Sequence, residues 1–213
     1  MATIGLRRPM YAPITEEADQ TMPLYGTPVM NNKAISASIS WTRNDSSLYA
    51  DDIEAETDNG ITGGELTFGL DDLSPELQTA ALGVLRGGAA DDYHYEDTDR
   101  AGTPGGFAFL RVRKRNGVLS FEGNFLFKVI LGQTDEETST RGQSIEWQTP
   151  ELTGSIMGIY IDNSGVAKFR RRKSFATEAD AVTWINAIFA GTETISVDTG
   201  TNTVIADTET EGY

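Results

Sequence analysis

The residues on either side of Asn116-Gly117 admit one local structure, a tight β-hairpin. Both members of an Asn-Gly pair tolerate positive φ, which the two-residue type I′ turn requires. Pairing Arg115 with Val118 sets Lys114 opposite Leu119, Arg113 opposite Ser120, Val112 opposite Phe121 and Arg111 opposite Glu122. One face then collects Leu110, Val112, Leu119 and Phe121, and the other Arg111, Arg113, Arg115, Ser120 and Glu122. This register separates apolar from polar side chains and sets opposite charges across from each other. Phe125, Phe127, Val129 and Leu131 carry the alternation onward, past an expected bulge at Gly123.

The same period of two recurs along the chain. Ile35, Ala37, Ile39 and Trp41 alternate with serines, and Leu66, Phe68 and Leu70 alternate with polar or small residues. These two runs are expected to form a hairpin whose long acidic connection, Arg43 to Gly60, projects from its end. Further strands are expected at Ile145–Thr149, Ser155–Ile161 and Val166–Arg170, with a turn at Asp162-Asn163-Ser164-Gly165, and short ones at Thr194–Val197 and Thr203–Ala206.

Two short helices are also expected. Ser74 caps the first, Pro75 opens it, Leu77, Ala80, Ala81 and Leu85 form its stripe, and Gly87-Gly88 closes it. Thr177 and Asp180 resemble a capping box for the second, with Val182, Ile185, Ile188 and Phe189 as the stripe and Gly191 as the stop. The first thirty residues lack periodicity and hold Pro9, Pro13, Pro23 and Pro28. They read as an extended arm or a disordered terminus. The sum is a mainly β fold, a β-sandwich or barrel of about eight or nine strands flanked by one or two short helices. The expected organisation is an N-terminal arm over 1–32, a β domain over 33–191 with the loop 43–60, and a C-terminal arm over 192–213.

Charge narrows the function. The 213 residues carry 32 acids against 17 bases, a net charge of -15. A chain this acidic repels a phosphate backbone. Acids cluster at Asp51–Asp58, Asp91–Asp99 and Asp135-Glu136-Glu137, and bases at Arg111–Arg115 and Arg170–Lys173. Each cluster is either a solvated face or half of a contact between copies, since complementary patches fix partner and register. No apolar run has the length of a signal peptide or a membrane span, so the expected protein is soluble and cytosolic when made.

Catalysis finds little to work with. There is no cysteine, hence no thiolate nucleophile or ligand. The one histidine, His94, sits in an acidic stretch with no G-x-S-x-G serine elsewhere. Gly87-Gly88 and Gly105-Gly106 lack the lysine and spacing of a phosphate-binding loop. Asp162-Asn163-Ser164-Gly165 lacks the ligand ladder of a calcium loop. The expectation is therefore no enzyme, no cofactor and no metal. Trp41, Trp147 and Trp184 are read as core.

Three blocks carry a family resemblance: Ile4-Gly5-Leu6-Arg7-Arg8-Pro9-Met10-Tyr11-Ala12-Pro13, Leu48-Tyr49-Ala50-Asp51-Asp52, and Asp58-Asn59-Gly60-Ile61-Thr62-Gly63-Gly64 running on to Leu70-Asp71-Asp72-Leu73. In order and spacing they resemble the major tail proteins, or tail tube proteins, of phages with long non-contractile tails. The resemblance is clearest over the first ninety residues and extends to about residue 190. It implies a tail-tube-like β-sandwich packed by a helix, with six copies forming a ring whose inner sheets close into a barrel. Rings would stack through the loop 43–60 and the arm 1–32. The loop and arm make Tyr49, Asp51, Asp52, Glu54, Glu56, Asp58, Arg7 and Arg8 the implied contact residues, and charge segregation adds Arg170, Arg171, Arg172 and Lys173 as a subunit contact or solvated edge. The implied partners are other copies of the chain, a tape-measure protein, and tail terminator and distal or baseplate proteins. Genomic DNA would pass through the lumen unbound, and the protein would reside in the virion tail after synthesis in the host bacterial cytoplasm. The alternatives are a secretion-system tube subunit, or a β-sandwich carbohydrate-binding module of a phage fibre.

Overall fold

The computed structural model describes residues 2–30, 33–50, 53–87, 93–95, 102–133, 149–162 and 164–193. In chain order the elements are β1 (Ala2–Glu16), β2 (Leu24–Tyr25), β3 (Val29–Met30), β4 (Ala34–Arg43), β5 (Ser46–Ala50), β6 (Ile53–Asp58) and β7 (Ile61–Leu70). There follow α1 (Pro75–Leu82), β8 (Leu85–Gly87), β9 (Tyr93–Tyr95), β10 (Pro104–Arg115), β11 (Val118–Gln133), β12 (Glu151–Met157), β13 (Arg170–Phe175) and α2 (Glu178–Phe189). The expected mainly β fold with two short helices is what the chain adopts. Nine strands form one antiparallel sheet in the order β2-β1-β10-β11-β12-β7-β4, with β13 added to β11 and β3 to β1. β5–β6 and β8–β9 are separate two-stranded ribbons.

The hairpin at Asn116-Gly117 forms in the expected register, Arg115 against Val118 through Arg111 against Glu122. Asn116 has φ 49 and Gly117 φ 84, the positive values the turn needs. The irregularity in this pair falls elsewhere than expected. It lies between Gly105 and Phe107, opposite Leu126 to Val129, so Phe127 and Lys128 hold the extra residue and Gly123 is regular.

β10 and β11 are buried on both faces because successive side chains of a strand point to opposite sides. Phe107, Phe109, Leu126 and Val129 join a first core with Leu66, Phe68, Leu152, Ile156 and, from α1, Leu77 and Ala81. Ala108, Leu110, Phe125 and Phe127 join a second with Trp184, Ile185, Ile188 and Phe189 of α2. Phe68 meets Phe107 edge-on at 4.9 Å in the first, and Phe125 meets Phe189 at 4.9 Å in the second. β4, at the far end of the strand order, lies beside β1, so the sheet curls around the first core.

The largest correction concerns the N-terminal segment. Ala2–Glu16 is no arm outside the β domain: it pairs with β10 from Ala2 opposite Lys114 to Pro13 opposite Gly105. Met10, Tyr11 and Ala12 are buried core. The prolines hid this strand. Pro9 falls where the register shifts between Arg7 and Met10, so its missing N–H removes no bond from a regular ladder. Tyr11 donates its hydroxyl to the Thr103 carbonyl, and a Cβ on Gly105 would strike the Tyr11 ring. Burial pushes the Tyr11 phenol well above its usual range.

Smaller corrections follow from local geometry. The connection 43–60 contains a β-ribbon, β5 with β6, rather than an unstructured loop. α1 ends at Gly83 in the left-handed conformation, φ 70, before Gly87-Gly88 is reached, and Leu85 is an exposed strand residue. A register shift after Ala34 turns Ile35 outward and brings Ala34 against the core. The strand expected at 155–161 is β12, ending at Met157. The one expected at 166–170 is β13, beginning at Arg170, with only a bridge between Ile159 and Lys168. At the turn between them Asp162 accepts from the Ser164 amide at 3.1 Å, and Gly165 has φ 68. The expected segments 145–148, 194–197 and 203–206, Trp147 and most of the C-terminal arm lie outside the described residues.

Both helix caps form as expected. Ser74 accepts from the Leu77 amide at 3.3 Å, and Thr177 accepts from the Asp180 amide at 3.2 Å. Gly191, φ 68, closes α2.

Candidate assembly surfaces

The pairing of β10, β11 and β13 builds a basic cluster that no single segment shows. Residues opposite each other across a sheet share a face. Three rows cross these strands: Phe107, Leu126 and Arg170; Phe109, Asn124 and Arg172; Arg111, Glu122 and Ser174. Arg113 opposite Ser120 makes a fourth. The first core therefore ends in four arginines around a buried Glu122 and a buried Asn124.

Glu122 binds Arg113 at 2.6 Å and lies 3.9 Å from Arg111. Asn124 donates to the Glu122 side chain and carbonyl at 3.3 Å each, and its own Oδ1 is buried without a partner. Arg111 stands over the Phe109 ring at 5.5 Å and Arg170 over the Trp41 indole at 5.1 Å. Burial, then the positive charges of Arg172 and Arg111, hold the Arg170 guanidinium below its usual value. Among the described residues neither Arg170 nor Arg172 forms an ion pair within 4.0 Å.

The other face of β13 serves the chain itself. Arg171 lies over the Trp184 ring at 5.7 Å and pairs with Glu193 at 3.5 Å, and the Trp184 indole donates to Glu193 at 3.1 Å. Lys173 lies over Phe175 at 5.4 Å. Gly123 permits this packing, since a Cβ there would come within 2.7 Å of the Trp184 ring. So the expected run Arg170–Lys173 divides by strand parity. Arg171 and Lys173 lie on the α2 side, while Arg170 and Arg172 face the cluster.

Arg7 and Arg8 are also engaged within the chain. They hold Glu178, in the first turn of α2, at 2.7 and 3.0 Å. These contacts, that of Arg8 first, keep the Glu178 carboxyl below the usual carboxylate range.

The acidic ribbon is placed by backbone pairing alone. Ser46 lies opposite Asp58, Leu48 opposite Glu56 and Tyr49 opposite Glu54, with a bulge between Leu48 and Tyr49. Asn44 donates to the Gly60 carbonyl at 2.8 Å and closes the base. The structure thus brings Tyr49, Glu54, Glu56 and Asp58 together on one ribbon, while Asp51 and Asp52 lie outside the described residues. Sequence reasoning missed Arg111, Arg113, Glu122 and Asn124 as a unit with β13. The available signal was a polar Glu-Gly-Asn inside the apolar run from Phe121 to Leu131.

Two open grooves lie among the described residues. An open groove of about 480 Å³ is lined by Tyr25, Pro28, Asn186 and Phe189 among others, and the Tyr25 hydroxyl is bonded to the Phe127 carbonyl at 2.8 Å. A smaller one of about 260 Å³ contains Glu17, which is tied to Lys128 at 2.6 Å. His94 is exposed on β9, opposite Arg86. Among the described residues no group of three or more His, Cys, Asp or Glu could hold a metal, and no helix is long and apolar enough to cross a membrane. No protein-family model matches this sequence, and no curated protein matches it.

Proposed function

We propose that this chain is a self-assembling structural subunit, and that the assembly is a tube of the kind found in long non-contractile phage tails. The observation that carries this reading is the acidic ribbon. β5 and β6 pair only with each other, beyond the end of the β4–β7 pair. A two-stranded ribbon is marginal in water by itself, and this one concentrates acids in a chain that holds a basic cluster elsewhere. Two unlike, complementary surfaces on one chain make heterologous contacts, which close into rings or propagate as stacks.

The edges of the main sheet support the same reading. β13 pairs only with β11, which leaves its other edge without a partner strand among the described residues. Such an edge is a template for pairing with another chain. In this proposal rings of copies stack into a tube that encloses a tape-measure protein during growth and later conducts DNA. The net charge of -15 would let DNA slide, since there are few cations to replace its counterions. No residue is assigned a catalytic role.

Electron microscopy of the purified protein tests this. Stacked rings or tubes support it, and monomers that bind glycans refute it. A basic lumen in assembled tubes would sink the passive-conduction part alone. Among the described residues Tyr160 is the only aromatic in the exposed class, so a glycan-stacking platform has one candidate there.

A further inference from the structure

We propose that the arginine cluster formed by Arg111, Arg113, Arg170 and Arg172 is the socket for the acidic ribbon of a second copy of this chain. The inference deepens the self-assembly reading above and rests on it.

Three observations point to a carboxylate-bearing occupant. The first is charge imbalance. Four guanidiniums lie on one face with one carboxylate, Glu122, which pairs with Arg113 and Arg111 only, in a chain whose overall balance is strongly the reverse. Like charges held this close repel, and Arg172 and Arg111 add to the burial that lowers the basicity of Arg170. An added carboxylate removes that repulsion. The second is the orphan acceptor. Asn124 is fully buried and its Oδ1 has no donor. A buried polar atom without a partner costs roughly as much as a lost hydrogen bond. When a carboxylate reorders Arg172, opposite Asn124 on β13, that guanidinium has donors for both.

The third is spacing. Arg170 and Arg172 occupy alternate positions of β13, and Arg111 and Arg113 alternate positions of β10. Glu56 and Asp58 occupy alternate positions of β6, opposite Leu48 and Ser46, on one side of the bulge that sets Glu54 out of step. Alternate residues of any strand recur about every 7 Å, so a strand of carboxylates matches a strand of guanidiniums in repeat. Guanidinium forks also take carboxylates two bonds at a time, which fixes register. No Lys or Arg lies between Asn44 and Gly60 to spoil the match.

A reciprocal charge swap in the full-length chain tests the pairing. R170E/R172E reverses the socket, and E56R/D58R reverses the ribbon. Assembly is read by sedimentation velocity and negative-stain electron microscopy, and folding by circular dichroism. Each variant alone should lose assembly at least tenfold relative to the wild type. An equimolar mixture of the two should recover it, because each variant keeps the partner the other needs. Arg172→Glu, at an exposed position, repeats the socket test with least risk to folding. Wild-type assembly by R170E/R172E and by Arg172→Glu overturns the socket but leaves self-assembly standing. So does a folded mixture that fails to recover. A wild-type chain that stays monomeric overturns the self-assembly reading and the socket with it.

Discussion

β10 and β11 are gripped from every direction, whereas β5 and β6 pair only with each other among the described strands. The central pair has a strand on each flank and a core on each face, with α1 on one side and α2 on the other. The ribbon has one hydrogen-bonded ladder and a dense row of acids. The difference separates two uses of the same secondary structure. Burial on both faces commits the central strands to stability, because each apolar side chain removed from water contributes about 25 cal/mol per Å². A ribbon whose strands pair only with each other among the described strands has both outer edges open to another chain.

That contrast can be broken or sharpened by substitution. The largest effect is expected at the first core. Phe68→Ala deletes a fully buried ring against Phe107 and Phe109, and should cost about 3–5 kcal/mol by urea unfolding. A loss under 1 kcal/mol would mean the curled sheet repacks freely, which removes one side of the comparison. Next comes Glu122→Gln, which takes the carboxylate from Arg113 and Arg111. A loss of about 1–3 kcal/mol is expected, with the same unfolding midpoint change whether or not the ribbon is present.

At the second core, Thr177→Ala removes the cap of α2 and should cost about 1 kcal/mol, seen as a lower thermal midpoint. The link between β1 and α2 gives a smaller and pH-dependent effect. Glu178 is held below its usual value by Arg8 and Arg7, so its contribution is complete above about pH 4.3, the ordinary Glu value, and is lost as pH falls through the lower folded value. The groups are partly exposed and screened, so the contribution is under about 1 kcal/mol. Glu178→Gln should flatten stability against pH in that acid window and nowhere above it. The smallest effect on folding is expected at the ribbon. Deleting residues 51–58 should change subunit stability by less than about 0.5 kcal/mol, yet stop tube growth. Normal tubes from that chain would end the assembly role of the ribbon, and an unfolded chain would end the contrast itself.

Much of the fold was legible from the chain, and the parts that were not share a cause. The strand pair β4 and β7 was readable because Ala37, Ile39, Leu66 and Phe68 mark one face in both. β1 was not, because its apolar residues Met10, Tyr11 and Ala12 are buried consecutively between two cores and leave no alternation. The end of α1 was misread because Gly83 stops the helix through its backbone angle, while the sequence places a stronger-looking pair of glycines further on. In the candidate surfaces, the basic runs were visible but their division was not. Only the side of β11 on which β13 lies decides that Arg170 and Arg172 join Arg111 and Arg113, while Arg171 turns to Trp184.

The sequence by itself determined the turn at Asn116-Gly117, both helix caps and the alternating faces. Each depends on the φ preference of one residue or a hydrogen bond spanning three residues, so the information is local. Tertiary structure decided the insertion of β1 beside β10 and the meeting of β10 with β13. Strand neighbours are chosen by which edges remain unpaired once the chain has folded back, and no local pattern encodes that choice.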